Sequence, residues 1–424
     1  MFFKWGFRAN LKIHQSVEDS VELKTKDSKD TEKFSDFIKD LSIIDPSKKL
    51  WLHPLLFNGT LQTIYYGSVD ASSQFKIFYG REIFTYKDGG ICSLDYVIPP
   101  EPKEKFDQLY KENLPEGWPR LNARSRFFSP EELKERTSHD QDLESTKPIC
   151  VVLHGLGGGS HEPLIRNLAE NLTTGKNKDN WDVVVINSRG CCRTKLVSEV
   201  VFSALSTEDI HEVLIELKKR YPTRPIYAVG FSFGACILSR FIAEQGESGE
   251  NLVKASCLIG CPWDMVDSSD HILKSWSGAY LFSPSVTSFM VKLVKNNYKE
   301  LSTHNPKLYN KESLERAKKF THPLEMADEF TCHEVGLSTG LEYYQKGSPQ
   351  NVMQNIKTPT LILNSTDDPT VGVKLPIEKV NGNPYLCMVE TDLGGHLGYV
   401  QRNGEFWCSE LVEEFFYNFE NTFA

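Results

Sequence analysis

No run of apolar residues approaches the roughly 20 needed to span a bilayer, and the first ten residues lack the long apolar core of a secretory leader. The chain is therefore expected on the cytoplasmic side. Positive charge is also scarce: 48 Lys and Arg stand against 57 Asp and Glu, a net charge of -9. Binding a phosphate backbone needs positive potential, so nucleic acid is excluded as a partner. The ten cysteines are scattered and none has paired CxxC spacing. A chain of this size can build a core without staples, which points to a reducing compartment with neither a zinc site nor a disulfide framework. The Lys-Ser/Thr pair of a phosphate-binding loop and the GxGxxG spacing of a dinucleotide site are both missing, so no nucleotide cofactor is expected, nor any metal.

What is present is an ordinary globular composition, 40% hydrophobic, 25% charged and 11% aromatic. Residues 18–48 are rich in Lys, Asp, Glu and Ser and read as an exposed connection or short surface helices outside the core. Residues 50–96 carry aromatic and β-branched runs broken by Asn58-Gly59 and Asp88-Gly89-Gly90, the pattern of hairpins in a mostly antiparallel sheet. The Pro, Glu, Lys and Arg of residues 99–147 suggest a surface crossing.

After Pro148 short apolar runs at 149–153, 183–186, 226–229, 255–259 and 360–363 alternate with helical periodicity at 162–172, 207–221, 233–244 and 410–419. Such alternation means a parallel sheet with helices on both faces. Between Trp263 and Pro359 the rhythm gives way to aromatic, amphipathic sequence, where an inserted cap over an active site would lie. The divisions are thus an N-terminal extension (1–49), a hairpin region (50–147), a core (148–262 and 359–424) and a helical cap (263–358).

Residues 226–235 form an apolar run, a GxSxG turn at Gly230 to Gly234, and the start of a helix. A sharp strand-to-helix turn leaves no room for side chains at the two glycines and exposes the Ser232 hydroxyl at the strand's carboxyl end. A serine hydroxyl is a weak nucleophile, so it needs an imidazole as base and a carboxylate to orient that imidazole. Downstream, Asp367 and Asp368 follow an apolar strand, and both compete for the acid role. His396 then lies in the glycine-bounded loop Gly394-Gly395-His396, after a further strand at 385–389. Donors for an oxyanion are supplied by His154-Gly155-Leu156-Gly157-Gly158-Gly159 after the first core strand. In this geometry the backbone amides of Leu156 and Phe233 converge on the oxyanion, while His154 braces the loop.

Cys191 and Cys192, being adjacent, point too far apart to chelate one metal, Cys257 and Cys261 read as buried thiols, and His14 with Asp19 matches an HxxxxD acyltransferase signature only by coincidence. Phe2, Phe3, Trp5 and Phe7, interleaved with Lys4, Arg8 and Lys12, suit either a lipid interface or, with more weight, a segment packed on the domain. Trp276, Tyr280, Phe282, Phe289, Tyr343 and Tyr344 in the insertion suit an acyl tunnel or plain cap core.

With these residues in view, the chain resembles the hydrolase-4 (YheT-like) branch of the α/β-hydrolases, and within it the fungal medium-chain fatty-acid ethyl ester synthase/esterases. Further residues that carry the resemblance are Asn58 to Thr63, Tyr79-Gly80-Arg81-Glu82, Glu116 to Arg120, Asn187 to Cys191, Pro262-Trp263-Asp264 and Asp367-Asp368-Pro369. The resemblance implies the charge relay Ser232, Asp368 and His396, with Asp368 preferred because the family's acid directly precedes this proline. It also implies hydrolysis of acyl glycerols and fatty esters, and transfer of medium-chain acyl groups from acyl-CoA to short alcohols. The alternatives are a monoacylglycerol lipase with little alcohol transfer, and a non-catalytic lipid-associated scaffold at a membrane or lipid droplet.

Overall fold

The computed structural model describes residues 7–26, 30–137, 145–175 and 180–424. Ten strands form its main sheet: β1 (Leu11–Gln15), β2 (Phe78–Thr85), β3 (Ile91–Ile98), β4 (Ser125–Phe127), β5 (Ile149–Leu153), β6 (Asp182–Asn187), β7 (Ile226–Phe231), β8 (Ala255–Ile259), β9 (Thr360–Ser365) and β10 (Leu386–Thr391). Their spatial order is β1-β10-β9-β8-β7-β5-β6-β3-β2-β4. The six strands from β10 to β6 are mutually parallel, and antiparallel strands flank them on both sides.

The helices that position the site are α1 (Phe34–Asp40), α2 (Gly59–Ser68), α3 (Pro163–Thr173), α4 (Thr207–Arg220), α5 (Phe233–Ser248), α6 (Met265–His271), α7 (Ser283–Asn296) and α8 (Trp407–Thr422). Side chains alternate across a strand, so Val152 and Val229 bury against α3 and α8 while Val151 and Ala228 bury against α4 and α5. Helices cover both faces, which is why the central strands read as unbroken apolar runs.

Three expectations need correction. Residues 18–48 do form a short helix, α1, but it does not lie outside the core: Phe34, Phe37, Ile38 and Leu41 are buried, and Phe37 packs edge-on against Phe419 at 5.6 Å. Their spacing of three, four and seven residues makes one helical stripe amid the charges. Asn58-Gly59 is no hairpin turn, because the Asn58 side chain accepts from the Leu61 amide and caps α2. The crossing at 99–147, of which residues 138–144 lie outside the described residues, is not confined to the surface, since Arg126, Phe127 and Phe128 are buried. It contains the helix Lys103–Asn113 and edge strand β4, whose buried Arg126 is gripped by Glu101 and Glu132.

The N-terminal aromatics Phe2, Phe3 and Trp5 lie outside the described residues. Phe7 and Arg8 pack on the domain, with the Arg8 guanidinium 4.0 Å from the Trp51 ring centroid. Between β8 and β9 the chain forms α6, a π-helical turn at Gly278–Phe282, α7 and further short helices. Among the described residues no helix is long and apolar enough to cross a membrane.

Candidate active site

Strand β7 is buried along its whole length and passes directly into α5 through Ser232, whose backbone sits at φ 52° and ψ -115°. That conformation is unfavourable for a residue with a Cβ and persists only where the surroundings over-determine it. Here the Ser232 amide donates to the Ile259 carbonyl at 2.8 Å, fixing the turn to the end of β8. The flanking glycines are required by close approach. A Cβ on Gly230 would come within 2.5 Å of the Gly234 oxygen, and one on Gly234 within 2.4 Å of the Leu153 oxygen.

His396 stands in the loop after β10, with Nε2 2.8 Å from Ser232 Oγ and Nδ1 2.7 Å from Asp368 Oδ2. An ionised carboxylate only accepts, so Nδ1 carries the proton and Nε2 is left to accept from the serine hydroxyl. Burial pushes the Asp368 carboxyl up, but the neighbouring His396 and donors from Thr370 and Val371 outweigh it and hold the group below the usual carboxylate range. Those donors are the Thr370 amide at 2.8 Å, its hydroxyl at 2.9 Å and the Val371 amide at 3.0 Å, all on Oδ1. Asp368 therefore stays ionised.

Asp367 points elsewhere. Its Oδ1 accepts from the Ser365 hydroxyl at 2.6 Å and from the Gly395 amide at 2.8 Å, and burial raises its carboxyl to about 6. Of the two competing aspartates, only Asp368 meets the ring; Asp367 anchors the loop that carries it.

Other supports for His396 left no local sequence signal. Its backbone amide donates to Thr63 Oγ1 at 2.9 Å, and that hydroxyl donates to the Gly59 carbonyl at 2.7 Å. Gly395 has φ 61°, and a Cβ there would lie 2.3 Å from the Gly59 oxygen. His271, at the end of α6, donates from Nε2 to the Asp368 carbonyl at 3.0 Å. Gly260, just past β8, has φ 63°, and a Cβ there would come within 2.9 Å of Leu397 Cδ2, the residue after His396.

The glycine run after β5 passes beside the serine, with the position of a Cβ on Gly155 3.6 Å from Ser232 Cβ. Among the described residues, the amides of Leu156 and Phe233 find no protein acceptor. His154 Nδ1 donates to the Gly155 carbonyl at 2.6 Å, and its Nε2 accepts from the Ser188 amide at 3.0 Å. Both ring nitrogens are occupied and burial lowers its pKa, so the ring is neutral and braces the loop. Farther along, the Ser160 amide donates to Asn187 Oδ1 and its hydroxyl to Asp95, which is itself held by Arg81 at 2.7 Å. Cys191 and Cys192 are buried; His161 and Arg81 beside Cys192 outweigh the effect of burial and bring its thiol down to about 7.

The aromatics of the insertion divide. Phe282, Tyr343 and Tyr344 are buried, with the Tyr343 hydroxyl accepting from the Ala204 amide. Trp276 and Tyr280 are 76% and 73% exposed, so they line no interior tunnel.

Comparison with known proteins agrees with this architecture. Residues 148–401 match the family model described as the alpha/beta hydrolase fold. Over 99% of this chain and 96% of the relative, the sequence is 36% identical to Medium-chain fatty acid ethyl ester synthase/esterase 2 of Saccharomyces cerevisiae. It is 30% identical to a Monoacylglycerol lipase of the same organism, over 95% of this chain and 89% of that one. The YheT protein of Escherichia coli is 27% identical over 60% of this chain and 71% of its own. With its serine on the turn after the central strand and the matched segment spanning all six parallel strands, the chain belongs to the α/β-hydrolase family.

Proposed function

We propose that the protein is a serine hydrolase and acyltransferase acting on lipid acyl esters through an acyl-serine intermediate. The observation that carries the reading is the unbroken line from Asp368 Oδ2 through the His396 ring to Ser232 Oγ, with contacts of 2.7 and 2.8 Å. Beside it lie two backbone donors, at Leu156 and Phe233, without a protein acceptor among the described residues.

The chemistry follows from these positions. As Ser232 Oγ attacks the acyl carbonyl carbon, His396 Nε2 takes the hydroxyl proton and the carbonyl electron pair moves onto oxygen. The Leu156 and Phe233 amides receive that oxyanion, each such donor being worth roughly 3 to 4 kcal/mol of barrier. Asp368 keeps the imidazole in the Nδ1–H tautomer and stabilises its cation. Collapse breaks the bond to the leaving group, which departs with the proton from Nε2 and leaves an acyl ester on Ser232. Water or an alcohol, deprotonated by His396, then attacks that ester and releases the product and the free serine.

The names of the two yeast relatives, an ethyl ester synthase/esterase and a monoacylglycerol lipase, support fatty acyl esters as the substrate class. Acyl-CoA as donor and a short alcohol as acceptor belong to the same proposal. A serine-directed fluorophosphonate should label the wild-type chain and leave Ser232→Ala unlabelled. No labelling of the wild type would favour a scaffold without catalysis. A panel of esters of varied chain length, with and without ethanol, reads acyl preference and the partition between water and alcohol together; free acid as the sole product at high ethanol would favour a simple lipase.

A further inference from the structure

We propose that the outer face of residues 271–299 is a docking surface for an anionic lipid surface, which brings the elements around Ser232 against the lipid phase. Five of the exposed large apolar side chains fall within a short stretch of it: Leu273, Trp276, Tyr280, Leu281 and Phe289. Trp276 and Tyr280 lie with ring centroids 6.0 Å apart and most of their surface in solvent. Contiguous exposed apolar side chains of this size mark interaction surfaces. The exposure does not come from a loosely held helix. The opposite side of α7 is fastened by Val294, which buries with Leu301, Tyr309 and Phe330, and by the Ser283 hydroxyl, which donates to the Thr321 carbonyl. The π-helical turn at Gly278–Phe282 lies between Trp276 and α7, and its extra residue per turn offsets the exposed stripe from that helix's regular register.

Charge identifies the occupant. Residues 271–299 contain Lys274, Lys292, Lys295 and Lys299 and no Asp or Glu, so this stretch carries +4 in a chain of net charge -9 and the remainder carries -13. All four lysines are exposed, and Lys292 Nζ stands 5.6 Å from the centre of the Phe289 ring. Exposed Trp and Tyr rings with lysines in the same short stretch of chain are the chemistry of a lipid–water interface bearing negative headgroups.

Position links the face to the site. Ser277 Oγ is 3.4 Å from Thr60 Oγ1 on α2, the helix that holds the His396 loop. Phe289 Cβ lies 3.4 Å from where a Cβ on Gly157 would stand, beside the glycine run. A lipid surface seated on this face would therefore meet the protein beside both the helix that anchors the His396 loop and the glycine run after β5.

Flotation of the full chain with phosphatidylcholine vesicles, alone or with one phosphatidylserine in five lipids, tests the proposal. The wild type should float with the anionic vesicles. Trp276→Ala/Tyr280→Ala should lower its partition by roughly tenfold, and Lys274→Gln/Lys292→Gln/Lys295→Gln by about fivefold per lysine on anionic vesicles only. The lysine variant keeps the test decisive if the aromatic one loses stability. Neither variant should alter turnover of a water-soluble short-chain ester. A wild type that stays with neither vesicle, or variants that float as well as the wild type, would overturn the proposal. Flotation reads binding directly, so the outcome is separate from whether Ser232 is the nucleophile.

Discussion

The backbone amide of His396 donates to the hydroxyl of Thr63 at 2.9 Å, across 333 positions of the chain. A histidine in a glycine-rich loop has little of its own to hold it, and here the second turn of α2 supplies the missing anchor. Thr63 in turn donates to the Gly59 carbonyl, so the hydroxyl is fixed from both sides.

Thr63→Val should therefore act on the reaction as well as on stability. The change keeps the shape and removes the acceptor, leaving a buried amide without a partner at a cost of about 1–3 kcal/mol. We expect kcat for a soluble ester to fall at least roughly tenfold with KM little changed, because misplacing a reacting group by about 1 Å can cost about a hundredfold. Thr63→Ser keeps the hydroxyl and should restore most of the rate. Equal rates for the Val and Ser variants would show that the contact does not position His396.

The two neighbouring aspartates should separate by orders of magnitude. Asp368→Asn removes the carboxylate that fixes the His396 tautomer, and kcat should drop by about 10⁴ with the fold retained. Asp367→Asn keeps an oxygen for Ser365 and Gly395 and should cost less than about tenfold. Steady-state rates for both variants decide the matter; a larger loss at 367 would reverse the proposed roles.

How far this site was legible in the sequence depended on how local its signals were. Ile149–Leu153 and Ala255–Ile259 were read with the bounds they have in the structure, because interior parallel strands bury both faces and leave unbroken apolar runs. Ser232, Asp368 and His396 each follow such a strand, so their placement could be read from the strands. Thr63 could not, since a threonine within a helix says nothing about a loop 333 positions away. The same holds for β1, whose Ile13 pairs with Val389 of β10. Asn58-Gly59 misled because one dipeptide serves both a hairpin turn and a helix cap, and the helical residues that follow decide between them.

Asp367 should also leave a mark on stability that depends on pH. Its folded carboxyl is raised to about 6, against about 3.9 for an unfolded chain. The folded state thus holds this proton more tightly, so the contribution is fully present below the unfolded value and is lost as pH rises through about 6. Asp367→Asn has no such dependence. In thermal melts the variant should match the wild type near pH 4 and gain on it by pH 7, by on the order of 1–3 kcal/mol. A difference that stays constant across that range would mean the carboxyl is not held protonated by burial.

Ser232 offers a test of strain that leaves catalysis out, because Ala and Gly at this position both lack the hydroxyl. In ordinary helices and strands glycine is the less stable of the two by roughly 0.5–1 kcal/mol, since it loses more backbone freedom on folding. At φ 52° and ψ -115° the Cβ is the liability, and a residue held in such a region costs on the order of 1–3 kcal/mol. The usual order should invert, with Ser232→Gly unfolding at higher urea than Ser232→Ala while both are inactive. If Ala proved equal or better, the turn would be relaxing once the hydroxyl is gone. The serine's contact with His396 would then be what maintains the strained conformation, in place of the packing of Gly230 and Gly234 against their neighbours.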